Sequence, residues 1–401
     1  MRSKRSYIDQ SWRKSAPAIG VCVLALVGLP VRAADGFVVH EWGTFTSVHA
    51  SDGTLLSGLE REEHRLPNFV RAHAGFSPVN KGWDRPVKNV TIKMETPVLY
   101  FYSDRELAVT VDVGFRGGSI SQWYPARSGG EEMPPLPGNI TDIMQLRTMP
   151  PVDFGRGFTG AIQWKATVLA PANPPVKPTA PTDWETPQWP RARVATANRV
   201  RTPDGAVEGF LFYRGIGNFA LPLEVKAASD GALTLRNTGD ADLLRVWVYE
   251  KSEKPDAPFH FWAGKLAAGA TQTVPLRPAG SFLGKSGFGA SLSHAGLTVS
   301  EALAMLATWK ESYFDAPGLR VFWIVPRAFT DRILPLTITP KPDNLERVLV
   351  GRSEVLTPAF EKELVDGFRA DGGARWANDR YFLAYRERAR QLGVVLPENT
   401  P

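Results

Sequence analysis

Cysteine is nearly absent from this 401-residue chain: the single copy, Cys22, sits inside the apolar run IGVCVLALVGLPV close to the start. That excludes a disulfide framework, a thiolate zinc cluster and a cysteine nucleophile downstream, so the fold must be held by packing. Histidine is scarce too, with six copies. A charge excess is missing once residues 1–33 are set aside. Six of the 47 Lys and Arg and one of the 41 Asp and Glu lie there, which leaves 41 basic against 40 acidic residues. The basic pI belongs mainly to that segment, and no nucleic-acid partner is expected. The common catalytic signatures are also missing. Thr44 stands where H-E-x-x-H needs its second His, Gly289-Ala290-Ser291-Leu292-Ser293 fails the last position of G-x-S-x-G, and GSFLGKS is one residue too short for a phosphate loop.

What is present begins with an export signal. Arg2, Lys4, Arg5, Arg13 and Lys14 precede the apolar run, and Val31-Arg32-Ala33 supplies small residues for cleavage before Ala34. The expected location is periplasmic or extracellular, with no membrane span after signal cleavage. Ser3 to Ile8 reads either as an ordinary basic lead or as a twin-arginine signal with Lys in the first position.

The rest is expected to be mainly β with an α+β C-terminal region. After the signal (1–33), a β-rich N-terminal domain is expected over 34–132, including NVTIKMETPVLYFYS, ELAVTVDV and GGSISQWYP, with a hairpin turn at Gly117-Gly118. A proline-rich crossing or linker with one or two strands follows over 133–194, since proline cannot feed a strand ladder. Six short strands between turn signals then suggest an immunoglobulin-like β-sandwich over 195–282. The region 283–401 opens with a helix whose capping box is Thr298 with Glu301, and later has a helix started by Thr357-Pro358.

Four of the six histidines, His40, His49, His64 and His73, fall within 34 residues that also hold Glu41, Glu60, Glu62 and Glu63. Imidazole and carboxylate together suit a divalent metal ion, so His40, His64 and His73 are the candidate ligands. His40 and Trp42 share one face of their strand and Glu41 takes the other. The expected pocket therefore has His40 and Trp42 beside the strand carrying Glu95, with the loop GLEREEHRLPNF folded over them and Glu41 structural. Glu95, at the entrance of an apolar strand, is the candidate general acid or base if burial raises its pKa, with His40 as proton relay. Trp42, Trp123 and Tyr124 are candidate substrate contacts, because aromatic faces stack on sugars.

The stretches VVHEWGTFTSV, KMETPVLYFYS and GLRVFWIVPR resemble a group of uncharacterised exported bacterial proteins over most of the chain. That resemblance implies export and a shared fold and carries no activity. Separately, ETPVLYFYS, SQWYPA, IQWKATVLA and EGFLFYRG resemble, in order, the strands of uncharacterised envelope β-sandwich proteins, with departures at Ser103, Tyr213 and Arg214. Two functions stay open. One is a metal- or carboxylate-dependent hydrolase or lyase acting on an envelope or extracellular polymer; the other is a non-catalytic β-sandwich module binding glycan or protein.

Overall fold

The strand carrying HEWGTFTSV is buried almost from end to end, because it has a neighbour on each side and cover on each face. In the computed structural model, which describes residues 36–62, 64–73, 76–77, 82–131, 143–182, 186–254, 259–275, 278–279 and 283–396, the main strands are as follows. They are β1 (Phe37–His49), β2 (Ile92–Ser103), β3 (Leu107–Arg116), β4 (Gly118–Tyr124), β5 (Thr159–Val168), β6 (Leu211–Gly217), β7 (Leu223–Ala227), β8 (Leu233–Asn237), β9 (Leu243–Lys251), β10 (Phe259–Leu266), β11 (Thr271–Val274), β12 (Gly318–Ile324), β13 (Leu336–Thr339) and β14 (Asn344–Val355). The helices used below are α1 (Gln188–Ala192), α2 (Leu283–His294), α3 (Val299–Lys310), α4 (Arg327–Ile333), α5 (Pro358–Asp371) and α6 (Phe382–Gln391). The signal expected over 1–33 lies outside the described residues, as does Glu63. No described helix is long and apolar enough to cross a membrane.

The chain is mainly β with helices concentrated toward the C-terminus. One large mixed sheet runs β5-β4-β6-β2-β1-β14-β12-β9-β10 through its centre. Strands from all three segments expected as separate domains share this sheet. β1 lies antiparallel to β2 and parallel to β14, so the start and the end of the described chain meet at the middle. Of the six strands expected to form a sandwich over 195–282, β6, β9 and β10 join the large sheet. The other three, β7, β8 and β11, form a small sheet that shares an apolar cluster with it. The turn at Gly117 forms with φ +81°, but no hairpin follows. β3 pairs with β5 and β13, while β4 pairs mainly with β6.

The two faces of β1 are sorted by alternation. Val39, Glu41 and Phe45 face the cluster shared with the small sheet; His40, Trp42, Thr44, Thr46 and Val48 face the helices. On that second face α2 and α3 cover one end around Trp42 and Phe322, and α5 and α6 cover the other around Val48 and Leu356. Both expected helix starts are present: Thr298 and Glu301 form the reciprocal capping box of α3, and Thr357 caps α5 with Pro358 in its first turn.

A bulge keeps β2 in step. Trp42 pairs with Val98 and Thr44 with Glu95, so Thr96 and Pro97 together oppose Gly43. This extra residue puts Lys93 and Glu95 on the same face as Val98 and Tyr100, which a regular strand would not do. Thr96 sits at φ +50°, a costly conformation for a β-branched residue. Pro97 packs so closely on Gly43 that a Cβ there would lie 3.0 Å from its Cα and Cγ. Gly43→Ala should therefore destabilise the protein by about 1–3 kcal/mol. A urea midpoint unchanged from wild type would count against this account of the bulge.

Candidate functional site

Just beyond the bulge, the helix-facing side of the sheet changes from apolar to charged. On β6, β2, β1, β14 and β12, five adjacent strands, the side chains at this level are Arg214, Lys93 with Glu95, Thr46, Arg352 with Glu354, and Arg320. All are buried. Buried charges persist only when paired and hydrogen-bonded, and here the partners come from the row itself and from loops that cross it. Glu62 accepts from Lys93 Nζ at 3.0 Å and from Arg214 Nη1 at 2.6 Å; Lys93 also donates to the Arg61 carbonyl at 2.6 Å. Glu95 accepts from Thr46 Oγ1 at 2.5 Å and from Arg380 Nη2 at 2.8 Å. Glu354 accepts from Arg320 Nε at 2.9 Å and Arg352 Nε at 2.7 Å.

The electrostatics follow from this crowding. Burial alone would raise the Glu95 pKa, but Arg380, Arg352, Lys93 and Arg214 outweigh it and bring the carboxyl down to about 2. Lys93 is lowered to about 8 by burial against the opposing pull of Glu62. Glu60, half-buried but with its Oε2 shut away from solvent, is pushed up to about 7 by burial.

Beside the charged row lies a cleft. Its polar lining comes from His64, Arg65, Thr96, Thr186, Gln188, Arg214 and Thr308, and its apolar walls include Trp189, Phe210, Phe212 and Trp309. The cavity volume is about 30 Å³, room for about one or two water molecules. Trp309 stacks on Tyr313 with ring centroids 5.7 Å apart, and Tyr313 receives the Arg352 guanidinium at 5.4 Å from its ring. The Tyr313 hydroxyl lies 2.5 Å from Thr44 Oγ1. Tyr313 belongs to a π-helical turn, Glu311–Asp315, that continues α3. Such turns recur at functional sites.

The sequence-expected residues are distributed otherwise. β1 does lie beside β2, and the loop 58–66 does fold over the strand carrying Glu95. His64 lines the cleft with Thr96. His40 is four residues up the strand from Thr44, the partner of Glu95. Its Nδ1 lies 2.9 Å from Glu301 Oε2, and Glu301 also accepts from Tyr102. His40 thus locks β1 to the capping box of α3. His73 is buried next to β4, its backbone N–H donating to the Ser121 carbonyl at 2.7 Å.

Among the described residues no three His, Cys, Asp or Glu side chains are grouped to hold a metal ion, so the expected ligand set of His40, His64 and His73 is not assembled. Glu95 is likewise not the raised-pKa acid expected of it, because four cations surround it. Trp42 is fully buried core. Trp123 and Tyr124 are buried on opposite faces of β4. Trp123 is covered by Arg127 at 4.3 Å, and Tyr124 packs on Phe69 and Trp189 behind the cleft. Neither is an exposed stacking platform. Arg214, Arg352, Arg380 and Trp309 escaped sequence reasoning. The signal available was an arginine inside an otherwise apolar strand, in GFLFYRG and again in RVLVGRSEVL.

No protein-family model matches the chain, and no curated protein matches it. Among solved structures, the chain is similar to the yeast delta-COP-I mu-homology domain complexed with Dsl1 WxWxV peptide, at 8% identity and a TM-score of 0.29, covering 80% of this chain and 98% of that one. It is also similar to a second structure of the yeast delta-COP-I mu-homology domain, at 9% identity and a TM-score of 0.28, with the same coverage. At these TM-scores the likeness carries no argument about function.

Proposed function

We propose that this is an exported, non-catalytic module that binds an envelope or extracellular polymer in the cleft between α1, α3 and the 64–67 loop. The observation that supports this reading is the cleft itself: aromatic walls with a polar mouth and a buried guanidinium, the composition of a recognition site. The residues expected to do chemistry, His40 and Glu95, are each tied to buried partners away from any open surface. Calorimetry with oligosaccharide fragments of a bacterial envelope polymer tests this on the wild type and on Gln188→Trp, which fills the half-buried mouth without changing charge. Binding that weakens at least about tenfold in the variant supports the cleft. Equal binding by both proteins, or none by either, overturns it.

One observation favours a hydrolase or lyase instead. Glu60, raised to about 7, lies within electrostatic reach of Lys93, lowered to about 8, and perturbed pairs of this kind cluster at catalytic sites. If that reading holds, chromatography of the same fragments shows cleavage by the wild type and none by Glu60→Gln. Uncleaved fragments with both proteins remove it.

A further inference from the structure

We infer that the cleft is built for a carboxylate, and that its ligand is a glycan carrying a sugar acid; this rests on the binding reading above. Two lining side chains hold buried N–H groups with no hydrogen-bond partner among the described residues, Arg214 Nε and Trp309 Nε1. Arg214 is 4% exposed and Trp309 is 3% exposed. A buried donor without a partner forfeits its solvation; Trp123 Nε1 and Trp323 Nε1 are in the same position in the core, and what singles out Arg214 and Trp309 is that they line a cleft an acceptor can enter. Both orphans are donors, and one is cationic. Among the described residues nothing acidic lines the cleft, while His64 and Arg65 do. Of the neighbouring described carboxylates, Glu62 holds Arg214 and Lys93 through Oε2 while its Oε1 has no partner among the described residues, and Glu311 is held by Arg191 at 2.9 Å.

The acceptor must be small. A cavity of about 30 Å³ has room for little more than one small acceptor group, so the rest of the ligand sits at the mouth. There Gln188 and Arg65 reach solvent and offer donors and acceptors suited to ring hydroxyls. Arg214 is held through Nη1 by Glu62, which fixes the guanidinium while its Nε keeps no partner among the described residues. A charge-assisted bond from Arg214 and a neutral one from Trp309 would then give unequal shares of the affinity.

The test uses the full chain with D-glucuronate, D-glucose and N-acetyl-alanine as probes, read by calorimetry and by the ¹⁵N–¹H indole resonance of Trp309. Glucuronate should bind and move that resonance, and glucose should bind at least about tenfold more weakly. Trp309→Phe keeps a smaller aromatic ring and removes the N–H, and should weaken glucuronate about 3- to 10-fold. Arg214→Gln should weaken it by about tenfold or more. Because Arg214 also anchors Glu62, Trp309→Phe is the variant that decides if Arg214→Gln fails to fold. Equal binding of glucose and glucuronate, or a Trp309→Phe variant with wild-type affinity, overturns the carboxylate assignment while the cleft reading stands. N-acetyl-alanine binding as tightly as glucuronate overturns the sugar assignment. If none of the probes and no polymer fragment binds, both readings fall together.

Discussion

Arg347→Met should cost about 3–5 kcal/mol of folding stability, because it strands a buried carboxylate. Glu41 has no exposed surface, and Arg347 lies directly across from it on β14. Arg347 Nε donates to Glu41 Oε2 at 2.6 Å, and the Tyr213 hydroxyl donates to Glu41 Oε1 at 2.5 Å. The hydroxyl stays protonated: burial raises the Tyr213 pKa, and Glu41 raises it further. Glu41→Leu should be milder than Arg347→Met, since Arg347 would keep Asp331 at 2.8 Å and the Leu334 carbonyl at 2.7 Å. The Glu41→Leu/Arg347→Met double variant should recover most of the loss, as replacing a whole buried pair by apolar residues often does. Urea denaturation of the three variants measures this. A loss below about 1 kcal/mol for Arg347→Met would show that Glu41 does not depend on its partner.

That pair also shows how much of the molecule could be read in advance. Strand alternation alone separated Glu41 from His40 and made Glu41 structural, and the structure places them on opposite faces of β1. Both helix caps were legible for the same reason: each is a local pattern with one physical solution. What stayed hidden was long-range. β1 pairs with a strand some 300 residues away, and a parallel pairing leaves no turn signal to mark it. The same distance hid the charged row, whose members become neighbours only once five strands are aligned. Histidines close in sequence drew attention to a metal site. In the fold His40 was committed to Glu301, and the cleft joins His64 to aromatic, threonine and arginine side chains arriving mostly from elsewhere.

The charged row and the cleft share residues, and this links stability to recognition. Arg214 belongs to both: its Nη1 pairs with Glu62, and the residue lines the cleft. Thr96, held at positive φ by the bulge, also lines the cleft, so the strain that keeps β2 in register lies at the same place. An anion bound to Arg214 would add a negative charge beside a row rich in guanidinium groups. Ligand should therefore stabilise the fold by mass action as well as occupy the cleft.

Acid should unfold this protein through Glu95. Its folded pKa of about 2 lies below the ordinary 4.5, so its contribution is complete above pH 4.5 and lost as pH falls toward 2. A depression of this size corresponds to about 3 kcal/mol. His49, lowered to about 4 by burial, adds a loss as pH falls from 6.5 to 4, because the buried imidazole must then charge. Glu60 has the opposite sign: its raised pKa of about 7 makes its contribution complete below 4.5 and lost as pH rises through 7. Between pH 4.5 and 6.5 the slopes of His49 and Glu60 oppose each other, so stability should change little there and fall steeply below. Glu95→Gln separates the contributors. It should be several kcal/mol less stable than wild type at pH 6, where the mutation strips Arg380 of its carboxylate, and the gap should close as pH approaches 2, where wild-type Glu95 is protonated too. Glu354, held down by Arg320 and Arg352, remains in both proteins and cancels in the difference. A wild-type-to-variant gap that stays constant from pH 6 to pH 2.5 would mean that Glu95 is not the group whose protonation opens the charged row.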